Sequence, residues 1–308
     1  MGRRIVQFAI AALIVGGIAF AAFVHFNKPV VEHVEPPPPP KIEGELPTAA
    51  EFEHLARTDP VGMFQACLVR FERDRIQGAT ATLEKQERVH GKLNDREIVK
   101  LMCAGEVPDK TGESQNLRIR MIWESGHRSA LGVKNLASLY AAGQNSGQMK
   151  VLTTITTLSL NPKDGMPRTA SRYCITDGGL YRGMLRTYDA WKKRQAAGEL
   201  NASFLGIESP PQTGGRPCFV IQRRCPKPEV DPFALDESPD HKADPQRDGT
   251  VEVTAYIDIE RWLSVGTVLK RADGSLLAEY WFRDVKLEKS PFEPDPFTMD
   301  AIKATLKR

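Results

Sequence analysis

The sequence predicts an α+β fold: a curved antiparallel sheet, an incomplete barrel, covered by helices and preceded by one transmembrane helix. Three observations predict it. A run of about 22 apolar residues opens the chain. Beyond it the elements come in the order helix, strands, helix, strands, which suits helices packed on one face of an antiparallel sheet. The regular strand–helix alternation of a parallel βαβ fold is absent.

Ile5 to Phe26 is apolar except for Gln7 and His25. At about 1.5 Å per residue it spans roughly 30 Å of hydrocarbon. Arg3 and Arg4 precede it. The positive-inside rule therefore keeps residues 1–4 in the cytoplasm and sends the chain across the inner membrane into the periplasm or outside. Ala19-Phe20-Ala21 offers a signal-peptidase pattern, but the apolar run continues past it, as a retained signal-anchor does. Residues 27–46 form a tether. Its run of five consecutive prolines, Pro36 to Pro40, adopts polyproline II at about 3.1 Å per residue, adding roughly 15 Å of spacer. Residues 47–308 form the extracytoplasmic α+β domain.

Asp59-Pro60 reads as a helix start, an N-cap followed by proline at the first helical position. Met63, Phe64, Cys67, Leu68 and Phe71 then recur at helical spacing. Ala79 to Val89 alternates, with Ala81, Leu83, Lys85 and Glu87 sharing one side. His90 to Asp95 is a turn, and Ile98 to Cys103 a second strand. From Leu117 to Trp123, Ile119, Met121 and Trp123 share one face. Ala130 to Val133, Ala137 to Ala141 and Val151 to Leu160 are further strands. A second helix, capped at Thr176 or Asp177, carries Leu180, Met184, Leu185, Tyr188 and Trp191 as its stripe. Strands resume at Cys218 to Arg224, Val251 to Ile257, Leu263 to Leu269 and Leu276 to Phe282. The stretch 231–249 between them reads as a mobile hairpin loop.

Several word-like segments go further. Asp59-Pro60-Val61-Gly62-Met63, Thr80 to Arg88 with Gly91-Lys92-Leu93, Ser171 to Thr176 before Gly179-Leu180, and Arg216 to Ile221 together resemble a bacterial family known as domain of unknown function 1571, over about residues 59–300. Its architecture is similar, more loosely, to periplasmic lipoprotein carriers and lipoprotein-sorting proteins. The resemblance implies an incomplete barrel with helical lids and transfers no catalytic residue.

The chemistry points away from several classes. Net charge is +3, with Lys and Arg interspersed among Asp and Glu. A nucleic-acid binder carries clustered positive charge. There is no nucleophile elbow, phosphate loop or zinc-protease helix, no histidine pair at metal spacing, and no signature of a cofactor. The acidic loop Asp231, Asp236, Asp240, Asp244 and Asp248 lacks the ordered spacing of a calcium site. The five cysteines can form disulfides in an oxidising compartment, with one left over.

Two functions fit. One is a binding module whose apolar lining is drawn from Phe64, Phe71, Ile119, Met121, Trp123, Met184 and Trp191, with a lipid or lipoprotein as ligand. In the bland alternative these side chains only fill a closed core. The other function is an envelope interaction or regulatory protein without a ligand cavity. The bilayer itself is the partner of residues 5–26.

Overall fold

The computed structural model describes residues 45–109, 114–126, 133–163, 165–231, 233–235 and 249–307. The anchor and most of the tether therefore lie outside the described residues. Among the described residues, no helix is long and apolar enough to cross a membrane.

Helix α1 (Ala49–Thr58) comes first, and the apolar pattern did not announce it. A capping box starts it: Glu51 N–H donates to Thr48 Oγ1 at 3.3 Å, and Thr48 N–H donates to the Glu51 carboxylate at 2.7 Å. Phe52 anchors the helix by stacking on Trp262, with ring centroids 4.0 Å apart. Thr48→Ala is expected to cost about 1 kcal/mol of stability in urea denaturation. Helix α2 (Pro60–Arg73) starts as Asp59-Pro60 predicts, with Asp59 Oδ1 accepting from Gly62 N–H at 3.0 Å.

The strands are β1 (Gly78–Val89), β2 (Lys92–Leu93), β3 (Glu97–Ala104), β4 (Arg118–Ser125), β5 (Asn135–Ala141), β6 (Met149–Thr153) and β7 (Thr157–Leu160). Helices α3 (Met166–Ala170) and α4 (Leu180–Ala196) interrupt them. The chain resumes with β8 (Asn201–Glu208), β9 (Cys218–Glu229), β10 (Thr250–Asp258), β11 (Leu263–Lys270) and β12 (Leu276–Glu288), and closes with α5 (Met299–Leu306).

One 12-stranded sheet results, in the order β7-β6-β5-β4-β3-β1-β12-β11-β10-β9-β8, with β2 paired to β1. Every pairing is antiparallel. The sheet is open, ending at β7 and β8. Register shifts recur, as between Thr80 and Thr82 on β1 and between Asn135 and Ala137 on β5. Each extra residue bends its strand, so the sheet curves.

Helices α2 and α4 lie in the curve. Phe64 meets Trp191 edge-on at 5.2 Å, and Phe71 meets Tyr181 at 5.2 Å. Beneath them Leu83, Val99, Leu101, Ile119, Ile221, Ala255 and Val265 form the main core. The other face is covered over β3–β5 by Phe297 and Ile302 of the C-terminal segment. There Arg120 donates to Pro296 O at 3.1 Å and to Thr305 Oγ1 at 3.2 Å.

Three expectations need correction, and two elements were not foreseen. Val151 to Leu160 is two strands, because the Thr153 hydroxyl accepts from Ile155 N–H and Thr156 N–H and folds a tight turn. The second long helix starts at Leu180 rather than at a Thr176 or Asp177 cap, since those residues form a short 3-10 turn and the chain breaks at Gly179. Edge strand β8 and the closing helix α5 carry no periodic apolar pattern long enough to be read. Within 231–249, the described residues Asp231 and Phe233–Leu235 are docked: Tyr173 bridges Ala234, Leu235 N–H donates to Arg172 O at 2.8 Å, and Phe233 and Leu235 are buried. Residues 127–132, which hold most of the Ala130 to Val133 strand, and 236–248 lie outside the described residues. All five cysteines are free, and Cys67 sits in the core.

Candidate functional site

A cavity of about 490 Å³ lies between the curved sheet and α4. Ligand sites commonly measure about 300–1,000 Å³. One wall is apolar: Met121 and Trp123 of β4, Met149 and Val151 of β6, Leu158 and Leu160 of β7, with Met166 of α3. Opposite stand Met184 and Trp191 of α4, and Phe282 of β12 adds to the lining.

Of the seven side chains singled out by the sequence, Met121, Trp123, Met184 and Trp191 line this cavity. Phe64, Phe71 and Ile119 are buried away from it, in the contact between α2, α4 and the sheet. The split follows from geometry. Phe64 and Phe71 of α2 pack against Trp191 and Tyr181 of α4, whereas Met121 and Trp123 of β4 and Met184 and Trp191 of α4 face the gap.

The sequence did not point to the polar end of the cavity. Lys85 and Glu87 continue the same face of β1 as Ala81 and Leu83, and both are buried. Two charges prolonging an apolar face were the available signal. Lys85 Nζ donates to Glu87 Oε2 at 2.7 Å and lies 3.7 Å from Glu97 Oε2. Trp123 Nε1 donates to Glu97 at 2.7 Å, and Tyr280 OH donates to Glu87 at 2.6 Å. Ser171 Oγ is 3.1 Å from Glu87 and 3.3 Å from Lys85 Nζ. Burial alone would depress the Lys85 ammonium, but Glu87 and Glu97 outweigh it and hold its pKa above the usual lysine range. A lysine must be neutral to take a proton from serine. The Ser171–Lys85 contact therefore does not make an activated nucleophile.

A second polar group adjoins it. Tyr173 OH donates to Asp231 Oδ2 at 2.5 Å, and Asp231 Oδ1 accepts from Phe233 N–H at 2.9 Å. Burial, reinforced by Asp231, pushes the Tyr173 phenol well above its ordinary range. The Arg186 guanidinium lies over the Tyr173 ring, 4.1 Å from its centroid. Cys174, also in the lining, is a buried thiol pushed up to about 11 by burial. Among the described residues, no three His, Cys, Asp or Glu side chains are grouped as a metal ion would require.

Helix α4 is held in place from outside its own sequence. Glu106, buried after β3, accepts from Tyr181 N–H at 3.0 Å and Arg182 N–H at 3.4 Å. It thus caps the helix that walls the cavity. Cys103 Sγ donates to the same carboxylate at 2.8 Å.

The sequence matches the model of a family described as a protein of unknown function (DUF1571) over residues 76–296. The match begins after α1 and α2. No curated protein matches the chain. Solved structures that superpose on it include LprF from Mycobacterium bovis, at 11% identity and a TM-score of 0.41, covering 77% of this chain and 98% of that one. A lipoprotein-sorting protein domain from Vibrio parahaemolyticus superposes at 10% identity and a TM-score of 0.31, covering 77% and 97%. The MucA/MucB complex of Pseudomonas aeruginosa superposes at 13% identity and a TM-score of 0.37, covering 74% and 58%. The chain spans about three fifths of the length of the MucB structures it matches.

Proposed function

The chain belongs to the DUF1571 family, and within that family's domain we propose that it holds a hydrophobic ligand, the acyl chain of a lipid or of a lipid-modified protein. The observation that carries this is the cavity of about 490 Å³ between sheet and α4. A domain that needed only a core would close this space, since interiors pack as densely as organic crystals. Four methionines, Met121, Met149, Met166 and Met184, line it. Unbranched thioether side chains adapt to a flexible guest.

In this reading residues 5–26 span the inner membrane with the N-terminus inside, and residues 27–46 hold the domain on the far side, within reach of the bilayer. The apolar run behind Arg3-Arg4 supports that address. Protease added to spheroplasts is then expected to digest the domain; protection of it would remove the proposed location.

The ligand itself is tested by mass spectrometry of the full-length protein purified from membranes. Acyl-bearing molecules are expected to leave it on denaturation. Ser138→Trp, which fills the cavity from β5, is expected to abolish that release while the variant still melts cooperatively. Equal amounts of the same lipid from both proteins would overturn the proposal.

A further inference from the structure

Building on the cavity reading, we propose that the ligand ends in a single acidic group, a carboxylate or a phosphate, and that Arg186 receives it.

Arg186 lines the cavity from α4. Stacking on Tyr173 fixes its guanidinium. Among the described residues it makes no hydrogen bond or ion pair, and its Nη1 is buried without a partner. Buried charges in proteins are paired, because an unpaired one is costly. A cation left bare in the wall of a cavity lacks the partner that a guest would supply.

The neighbouring cations do not share this condition. Lys85 is engaged by Glu87 and Glu97, and Arg223 pairs with Glu229. Arg194 pairs with Glu199, and Lys193 with Asp189. Arg182, one turn before Arg186, donates to Ser114 and faces Asp177 at 3.8 Å.

Two carboxylates act on Arg186 through space: Asp177, which also faces Arg182, and Asp231. Asp231 accepts from Tyr173 OH and Phe233 N–H. A second guanidinium, that of Arg172, lies 5.9 Å from the Tyr173 ring. Three guanidiniums, those of Arg172, Arg182 and Arg186, thus share two carboxylates, Asp177 and Asp231. Arg186 Nη1 is the donor that one acidic group would engage.

The layout of the cavity orients the guest. Polar side chains gather around Ser171, Tyr173, Arg186 and the β1–β12 ladder. The far wall, Met121, Met149, Val151, Leu158 and Leu160, is apolar. The acidic end lies at Arg186 and the chain runs along β4, β6 and β7. A guanidinium presents a planar fork that a carboxylate or phosphate can engage with two parallel hydrogen bonds.

The test uses the full chain in phosphatidylcholine nanodiscs at mildly alkaline pH. Three photoactivatable long-chain probes share one tail and end in a carboxylate, a phosphate or an alcohol. Cross-linked peptides are quantified by mass spectrometry. At least one acidic probe is expected to label the peptides of β6, β7 and α4 on the order of tenfold more than the alcohol, the worth of one charge-assisted bond. Arg186→Gln is expected to bring that probe down to the alcohol level, and Arg186→Lys to retain part of the preference. The better acidic probe identifies the head group. Equal labelling by all three probes, or an undiminished preference in Arg186→Gln, overturns this inference and leaves the cavity reading standing. Labelling of these peptides by none of the probes overturns both.

Discussion

Lys85→Met is expected to destabilise the domain by about 3–5 kcal/mol at neutral pH, the usual result of removing one partner from a buried ion group. Glu87 and Glu97 would then face each other across the space left by the ammonium, both buried. Tyr280, Trp123 and Ser171 would still donate to them, but neutral donors do not cancel two charges. The loss should shrink as pH falls and the orphaned carboxylates take up protons. Adding Glu87→Gln and Glu97→Gln should recover most of it. Urea denaturation at neutral and acid pH measures all three effects. A loss below about 1 kcal/mol would mean that the group is better hydrated than its geometry indicates.

Gly179→Ala is expected to cost on the order of 3 kcal/mol by the same measurement, combining backbone strain with a disturbed cap. Gly179 has φ +106° and ψ 173°, a conformation open to almost no residue but glycine. A Cβ there would also collide with the Glu106 carboxylate. That carboxylate cannot swing aside freely, because Tyr181 N–H, Arg182 N–H and Cys103 Sγ all hold it. Gly183→Ala, one turn later and facing open space, is the control; it should stabilise by about 1 kcal/mol. Burial pushes the Glu106 carboxyl up, against the pull of Cys103 and the two amides. The folded protein therefore holds that proton more tightly than the unfolded chain does. Its share of stability is complete at pH below the ordinary glutamate range and is lost as pH rises through the elevated value. If Gly179→Ala melts like the wild type, Glu106 is not the fixed cap of α4.

What could be read in advance follows the range of the forces involved. The faces of β1, β4 and α4 are local periodicities, so Leu83, Met121, Trp123, Met184 and Trp191 were visible as apolar stripes. Helix α1 was marked only by the Thr48–Glu51 capping box, which weighs little without an apolar run behind it. Strand β8 was hidden because an edge strand has one neighbour, and its exposed Leu205 and Ile207 break the inside–outside code. The polar end of the cavity depends on distant contacts. Tyr280 meets Glu87 across 193 residues and Tyr181 meets Glu106 across 75. No local pattern encodes such meetings. Lys85 and Glu87 on an apolar face were the trace they left.

The β1–β12 ladder has a consequence for how the molecule is made. Its register pairs Gly78 with Glu288, so a chain synthesised from its N-terminus waits about 200 residues for the strand that completes its middle. Until then β1 presents an unsatisfied edge, and pairing over so long a loop is intrinsically slow. The domain should gain protease resistance only after its last strand emerges. Chains truncated before Leu276 should behave as aggregation-prone fragments, however much of the cavity lining they already contain.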